Sequence, residues 1–353
     1  MKRMECLDGL RGVLAVYVML GHMAPFTALP AWIERPLSHG GAAVDVFFIL
    51  SGMVIVQSLE SHGYAARPFL IARCARIFPV FLVMLAAGVA VQPLPVPFAA
   101  MPWIGPDSQA HGIWSDGWPK FWVAEIAAHL TMTHGLFPNA VLPDAWVSFL
   151  GAAWSLSTEW QFYVLALVLG RLGHRGARLV AIFLGIALAG LAWDFLTHEE
   201  WHFSRAFLPN KAHYFALGMA STSGLGRRFV PILLPVLALC ALRGGVEKLV
   251  PPLVWTLCLA AQFGDWGILA RVLRCRVAQF LGAVSYPIYL ANEPIQKALG
   301  CMLAWVADGD AMLFSAMFAP LALLVPVGAA VLLHTYLARP ALRWGKARAR
   351  RMY

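Results

Sequence analysis

Leu7-Asp8-Gly9-Leu10-Arg11-Gly12-Val13-Leu14-Ala15-Val16-Tyr17-Val18-Met19-Leu20-Gly21-His22 decides how the rest of the chain is read. It is an apolar run that opens with an acid and a base and carries an imidazole farther on. As an α-helix it turns about 100° per residue, so Arg11 and His22 fall about 20° apart around the axis and roughly 16 Å apart along it. Asp8 lies about 40° off that stripe and stands three residues from Arg11, within pairing reach on a helix. Ionisable groups inside a bilayer turn toward protein or water. The stripe therefore predicts a helix that belongs to a larger bundle and presents one polar seam to its interior.

Composition agrees. Of the 353 residues, 60% are hydrophobic and only 13% charged, and mean hydropathy is +0.69. Ten segments hold the apolar character, about 10–28, 44–60, 77–92, 149–170, 178–196, 206–223, 229–243, 249–268, 277–300 and 312–334. The chain is predicted to be an all-α, polytopic transmembrane helical bundle of about ten spans, one membrane domain over 1–353. The first run is not expected to be a cleaved signal peptide, since Asp8 and Arg11 interrupt it and many spans follow. An even number of spans places both termini on one side. With that side cytoplasmic, inner segments carry 20 Lys and Arg residues, from Lys2, Arg3 and Arg11 through Arg227 and Arg228 to the tail, and outer segments carry six. This asymmetry follows the positive-inside rule. It also accounts for the net charge of +9, which no nucleic-acid-binding motif accompanies. The lipid bilayer is thus the expected partner, nucleic acid is not, and nothing sets an oligomeric state. The six cysteines have no CxxC spacing and are expected as free thiols.

The connection 93–148 is rich in Pro, Gly and Trp and too polar at Asp107–Asp116 to span. It reads as an extracytoplasmic loop with aromatics at the interface. Within it Phe121–Gly135 has a helical pattern with Glu125, His129 and His134, an interfacial or re-entrant helix over the bundle. His129 and His134, five apart, do not share one helical face and lack a third ligand, so no metal site is expected. No internal repeat is evident. The tail, about 336–353, is basic and suits anionic headgroups.

Five patterns could carry chemistry. They are Arg11-x10-His22; Gly40-Gly41-Ala-Ala-Val-Asp45-Val-Phe-Phe-Ile-Leu-Ser51-Gly52; Arg73-Cys-Ala-Arg76-Ile-Phe-Pro79; Trp154-Ser155-Leu-Ser157-Thr-Glu159-Trp-Gln161-Phe-Tyr163; and Leu281-Gly-Ala-Val-Ser285-Tyr286-Pro-Ile-Tyr289-Leu-Ala-Asn292-Glu293-Pro294. In this order and with these gaps they resemble the acyltransferase-3 family of bacterial integral-membrane acyltransferases, from residue 5 to about 343. Two positions depart from the family pattern. Asn292 stands where the family often has a histidine, and Ala338 stands where it has a glutamate before Arg-Pro.

The resemblance implies transfer of an acyl group, commonly acetyl from acetyl-CoA, to a hydroxyl of a glycan, glycolipid, peptidoglycan or secreted small molecule. Exopolysaccharide or O-antigen sugar is the expected acceptor, and the bacterial inner membrane the expected location. Acyl-CoA is a co-substrate, and no cofactor is bound permanently. In this frame His22 is the candidate general base, since an imidazole titrates near neutral pH, or the group that first receives the acyl. The plainer reading is a histidine hydrogen-bonded between helices. Arg11, Arg73 and Arg76 are candidates for the CoA phosphates, which suit a planar cationic fork, or they are simply inner anchors. Glu159, with Ser155 and Tyr163 each one turn away, either orients the histidine, binds the acceptor, or knots helices together. Asp45, Ser51, Ser155, Ser157 and Tyr163 are candidate substrate-binding residues, with Asp45 and Ser51 expected on one cavity. Glu293 and Lys297 read as a structural ion pair beside Asn292. No Gly-x-Ser-x-Gly elbow supports a serine nucleophile. A transporter of a glycolipid or small solute is the alternative, although the paired broken helices of such folds are not seen. A structural membrane partner with a degenerate site is a third reading, disfavoured by the presence of both Arg11 and His22.

Overall fold

The computed structural model describes residues 4–223, 225–226, 229–264 and 267–352. Each of the ten apolar segments is helical. In chain order these are α1 (Glu5–Met23), α2 (Gly40–Ser61), α3 (Ala66–Val91), α4 (Trp154–Arg171), α5 (Ala177–Leu196), α6 (Leu208–Ala220), α7 (Phe229–Leu242), α8 (Val250–Phe263), α9 (Arg276–Ala307) and α10 (Ala311–Leu333). Shorter helices flank them at Ala31–Leu37, Trp122–Leu130, Gly267–Arg274 and Arg339–Arg350. Among the described residues the β-structure is one isolated bridge, Pro138 with Phe203.

Five stretches are long and apolar enough to cross a bilayer, namely Glu5–Phe26, Ala31–Ser61, Ala66–Val91, Ala177–Leu196 and Ala311–Arg350. The helices that miss this measure are short, as α6 is at 13 residues, or polar, as α9 is with Glu293 and Lys297. Both α6 and α9 are buried against other helices, where a polar face costs less than in lipid. Four basic residues behind the inner assignment, Lys2, Arg3, Arg227 and Arg228, lie outside the described residues.

Small residues set the closest crossings. A Cβ on Gly12 would lie 2.6 Å from Gly282 N, and one on Gly282 would lie 2.1 Å from Asp8 O. So α1 and α9 touch backbone to backbone. The same holds for α2 and α6, where a Cβ on Gly218 would meet Ile49 O at 1.8 Å. Beside that crossing Lys211 Nζ donates to Asp45 Oδ1 at 2.6 Å, and both residues are buried.

Helix ends differ from the expected spans in two places that matter. The first helix begins at Glu5 rather than about residue 10 and ends at Met23, before a 3-10 turn at Ala24–Phe26 that contains Pro25. His22 therefore lies in its last turn, not deep in its interior. The third begins at Ala66, so Arg73 and Arg76 sit within α3 instead of ahead of it.

The 93–148 connection covers one end of the bundle. Its helix stops at Leu130, well short of Gly135. The chain turns at Met132, whose φ is 59°, and brings His134 flat against His129, with centroids 4.0 Å apart and planes 4° from parallel. Two histidines expected on different helical faces are thus stacked, because only one of them is on the helix. Ser157 holds this turn, donating to Met132 O at 2.8 Å and accepting from Gly135 N at 3.0 Å. Farther up the loop, Lys297 Nζ donates to Ser115 O at 3.0 Å and Gln92 Nε2 donates to Gly117 O at 2.6 Å.

At the opposite end α10 passes through a π-helical turn, His334–Ala338, into the basic helix Arg339–Arg350. That helix lies against α3, where a Cβ on Gly345 would stand 2.5 Å from Ala75 Cβ.

Candidate active site

Two cavities, one small and one large, stand back to back inside the bundle. The first, about 90 Å³, is bordered by Arg11 of α1, Ser51 of α2, Arg73 and Arg76 of α3, Ser155, Glu159 and Tyr163 of α4, and Tyr286 and Tyr289 of α9. Three guanidinium groups reach this space from two helices. Glu159 lies within electrostatic reach of all three and accepts a hydrogen bond from Tyr163 Oη at 2.6 Å. Arg73 is steadied by Ser58 Oγ at 2.8 Å. Arg11 and Arg76 also border an adjoining recess with Asp8, Gln279 and His334. The set has an excess of positive charge and a fixed fork geometry, which suits phosphates.

The second cavity, about 840 Å³, lies under the 93–148 loop. His22 borders it, with Asp116, Trp118, Trp146, Trp154, Arg205 and Glu293 among its other walls. Arg205 stacks over Trp146 at 4.8 Å. His22 Nδ1 is 2.7 Å from Asn292 Oδ1. Glu293 accepts from Gly151 N at 3.1 Å and Ala152 N at 2.9 Å. It thereby caps the N-terminal end of α4, where a negative charge is favoured.

Tyr289 borders both cavities. Its hydroxyl is 3.0 Å from Ser155 Oγ, and its ring rests on Phe47 at 6.1 Å. The partition between the arginine chamber and the histidine chamber is one tyrosine side chain and its neighbours.

A family model for an acyltransferase domain matches residues 4–338. The chain belongs to the acyltransferase-3 family. It is similar to acyltransferase MdmB of Streptomyces mycarofaciens, with 27% identity over an alignment covering 97% of this chain and 92% of that protein. It is also similar to BcsY of Komagataeibacter xylinus, provisionally named a membrane-bound transacylase, with 29% identity over 54% of this chain and 45% of that one. Protein 2 in the picA locus of Rhizobium radiobacter is 34% identical over 24% of this chain and 44% of its own length. No solved structure matches. The family and the long apolar helices make this chain a membrane acyltransferase.

Of the candidates in this acyltransferase, Arg11, Arg73, Arg76, Ser51, Ser155, Glu159 and Tyr163 converge on the arginine chamber. His22 does not join them. It stands on the other chamber, so Glu159 is placed to balance arginines, not to orient His22. Asp45 and Ser51 do not share a cavity, because Asp45 is taken up by Lys211. Ser157 serves the loop turn. Glu293 and Lys297 do not pair with each other among the described residues, since each is satisfied by backbone groups of the loop or of α4. Asn292 and Tyr289 are the residues whose importance the sequence alone did not reveal. Both lie in a quoted motif, but what they touch depends on where α9 crosses α1 and α4.

Proposed function

We propose that this acyltransferase moves an acyl group, acetyl in the first instance, from acyl-CoA to a hydroxyl of a cell-surface or secreted glycan, exopolysaccharide or O-antigen sugar, in the bacterial inner membrane. The observation that carries the reading is the pair of chambers meeting at Tyr289, one ringed by arginines and the other bordered by His22. Arg11, Arg73 and Arg76 hold the CoA phosphates on the basic, cytoplasmic side. Glu159 offsets part of their mutual repulsion while the chamber is empty. The pantetheine arm carries the thioester past Tyr289, over the roughly 16 Å that separates Arg11 from His22 along α1. The glycan enters under the 93–148 loop, where Trp118 and Trp146 offer faces for sugar rings.

His22 Nε2 takes the proton of the acceptor hydroxyl as its oxygen bonds to the thioester carbonyl carbon. The C–S bond breaks, CoA leaves as the thiolate, and the imidazolium returns the proton to sulfur. An ester and free CoA-SH are the products, and the histidine ends as it began.

A gene deletion complemented with the wild type or with His22→Ala tests this, with ester-linked acyl groups on extracted glycans read by NMR. Esters are expected to vanish on deletion, return with the wild type, and stay absent with H22A at equal protein level. Unchanged esters after deletion would overturn the glycan assignment, and full restoration by H22A would overturn the base.

A further inference from the structure

The geometry points to Asn292 as the positioning residue that fixes which nitrogen of His22 carries the proton. The argument starts at the far end of the carboxamide. Asn292 Nδ2 lies 3.2 Å from Ile288 O and 2.7 Å from Tyr289 O, the carbonyls four and three residues back on α9. Carbonyl oxygens only accept, so the amide nitrogen must be the group that faces them. That settles the amide orientation by its partners instead of by its shape, which nitrogen and oxygen share. The oxygen, Oδ1, is then the atom 2.7 Å from His22 Nδ1. An amide oxygen has no proton to give, so Nδ1 is the donor. A neutral imidazole carries one N–H, and the lone pair is left on Nε2. The opposite tautomer would set the Nδ1 lone pair against Oδ1 at 2.7 Å.

Burial makes the constraint firm. Asn292 has no solvent exposure, so water does not compete for its oxygen. Turning the amide over would press its oxygen against two carbonyl oxygens, at 2.7 and 3.2 Å, and leave Nδ2 against the ring. Among the described residues no hydrogen bond involves Nε2, and His22 borders the larger chamber. Asn292 is neutral, so it directs the lone pair without adding a charge beside the ring. Glu293, the adjacent carboxylate on that wall, is occupied by Gly151 N and Ala152 N.

This inference rests on His22 being the base, and its test separates the two. The protein, labelled with 15N-histidine, is placed in lipid nanodiscs, and the His22 signals are assigned as those lost in His22→Asn. At neutral pH the expected pattern is a protonated Nδ1 and an unprotonated Nε2. In Asn292→Ala this pattern is replaced by a mixture of tautomers. In Asn292→Asp, which sets a carboxylate beside the ring and an oxygen against the two carbonyls, both ring nitrogens are expected to be protonated. Acyl transfer is followed in inverted membrane vesicles that contain the native acceptor, with radiolabelled acetyl-CoA as probe. N292A is expected to lower kcat about 10- to 100-fold, at or below the lower end of the 10²–10⁴ a general base supplies, with KM for acetyl-CoA changed less than about twofold. A wild-type signal with the proton on Nε2 overturns the inference, as does N292A with unaltered signals and kcat. If the tautomer is as expected but H22A remains active, the base assignment fails and the role of Asn292 in fixing the ring stands.

Discussion

His129 and His134 show how a residue's surroundings decide its charge. Both are fully buried in the loop over the larger chamber, and each ring nitrogen that is bonded meets a backbone carbonyl, Glu125 O at 2.9 Å and Ala153 O at 3.1 Å. Burial without an anion disfavours the imidazolium. It holds His129 down at about 4 and His134 well below its ordinary value, the latter helped by the neighbouring ring. When the loop opens, each ring regains a value near 6.5. Between about 6.5 and 4 the open form binds more protons, so stability falls as pH falls through that window. Glu125 acts the other way. Desolvation raises its carboxyl, so it contributes below its ordinary value and loses that contribution as pH rises. The melting midpoint in detergent should drop between pH 7 and pH 5, and by more in the wild type than in a variant that lacks one of these histidines. His129→Phe, which keeps the stack and removes one titrating group, should remove a large part of that drop. A midpoint that is flat with pH in the wild type would refute the account. At this scale the sequence was legible where periodicity or a short motif did the sorting, as for Arg73, Arg76 and Glu159. It was silent where the partner is distant, as Lys211 is from Asp45, or Asn292 from His22. No local pattern announces a contact made across 166 or 270 positions of chain.

The crossing of α1 with α9 is the element on which the site depends. Gly12 meets Gly282, and ten residues later on each helix His22 meets Asn292. The two helices therefore run parallel, and the glycine contact sets the register about 15 Å below the imidazole. A methyl at Gly282 would lie 2.1 Å from Asp8 O, a backbone atom that cannot step aside alone. Overpacking of this kind costs about 1–3 kcal/mol. Gly282→Ala should accordingly lower the thermal midpoint and reduce activity further than the loss of folded protein explains, because α9 carries Asn292 and Tyr289. Gly328→Ala in α10, where a Cβ would have nothing within 4 Å, is the control. It should be neutral or stabilising by about 0.5–1 kcal/mol, as helix-interior glycine replacement is. Equal behaviour of the two variants would show that the crossing does not set the register. The existence of these helices was readable from apolar runs, but their ends were not. Pro25 closes α1 before Thr27, and α3 starts a full eleven residues ahead of the apolar segment at 77 because Ala66–Arg76 packs on the basic helix and not in lipid.

The hydrogen bonds sort the helix ends of the whole molecule into two groups. At one end Cys6 N donates to Gln262 Oε1, Gln279 Nε2 to Glu5 O, and Arg175 stacks over Tyr64. These join the start of α1, the end of α8, the start of α9, the α2–α3 turn and the end of α4. At the other end Ala28 N donates to Ser315 Oγ, Gly151 N to Glu293, and Arg243 Nη1 to Asp194. These join the end of α1, the start of α10, the start of α4, the outer half of α9, the α7–α8 turn and the end of α5. Ten helices that alternate in direction give this grouping, since odd-numbered helices start, and even-numbered ones finish, at a single end. The parallel run of α1 and α9, both odd, agrees with it. The first end is also where Arg67, Arg171, Arg175, Arg178, Arg271, Arg274 and Arg276 fall, so it is the end the positive-inside rule predicts to face the cytoplasm. Cys275 lies there, exposed and unpaired, while Cys6, Cys240, Cys258 and Cys301 are buried and Cys74 is half-buried. A membrane-impermeant maleimide should therefore modify Cys275 in inverted vesicles and leave it unmodified in intact spheroplasts. Ala31→Cys in a Cys275→Ser background, placed on the exposed start of the Ala31–Leu37 helix at the opposite end, should give the reverse pattern. Labelling of Cys275 from outside would break the alternation, and with it the assignment of the arginine chamber to the side on which acyl-CoA is made.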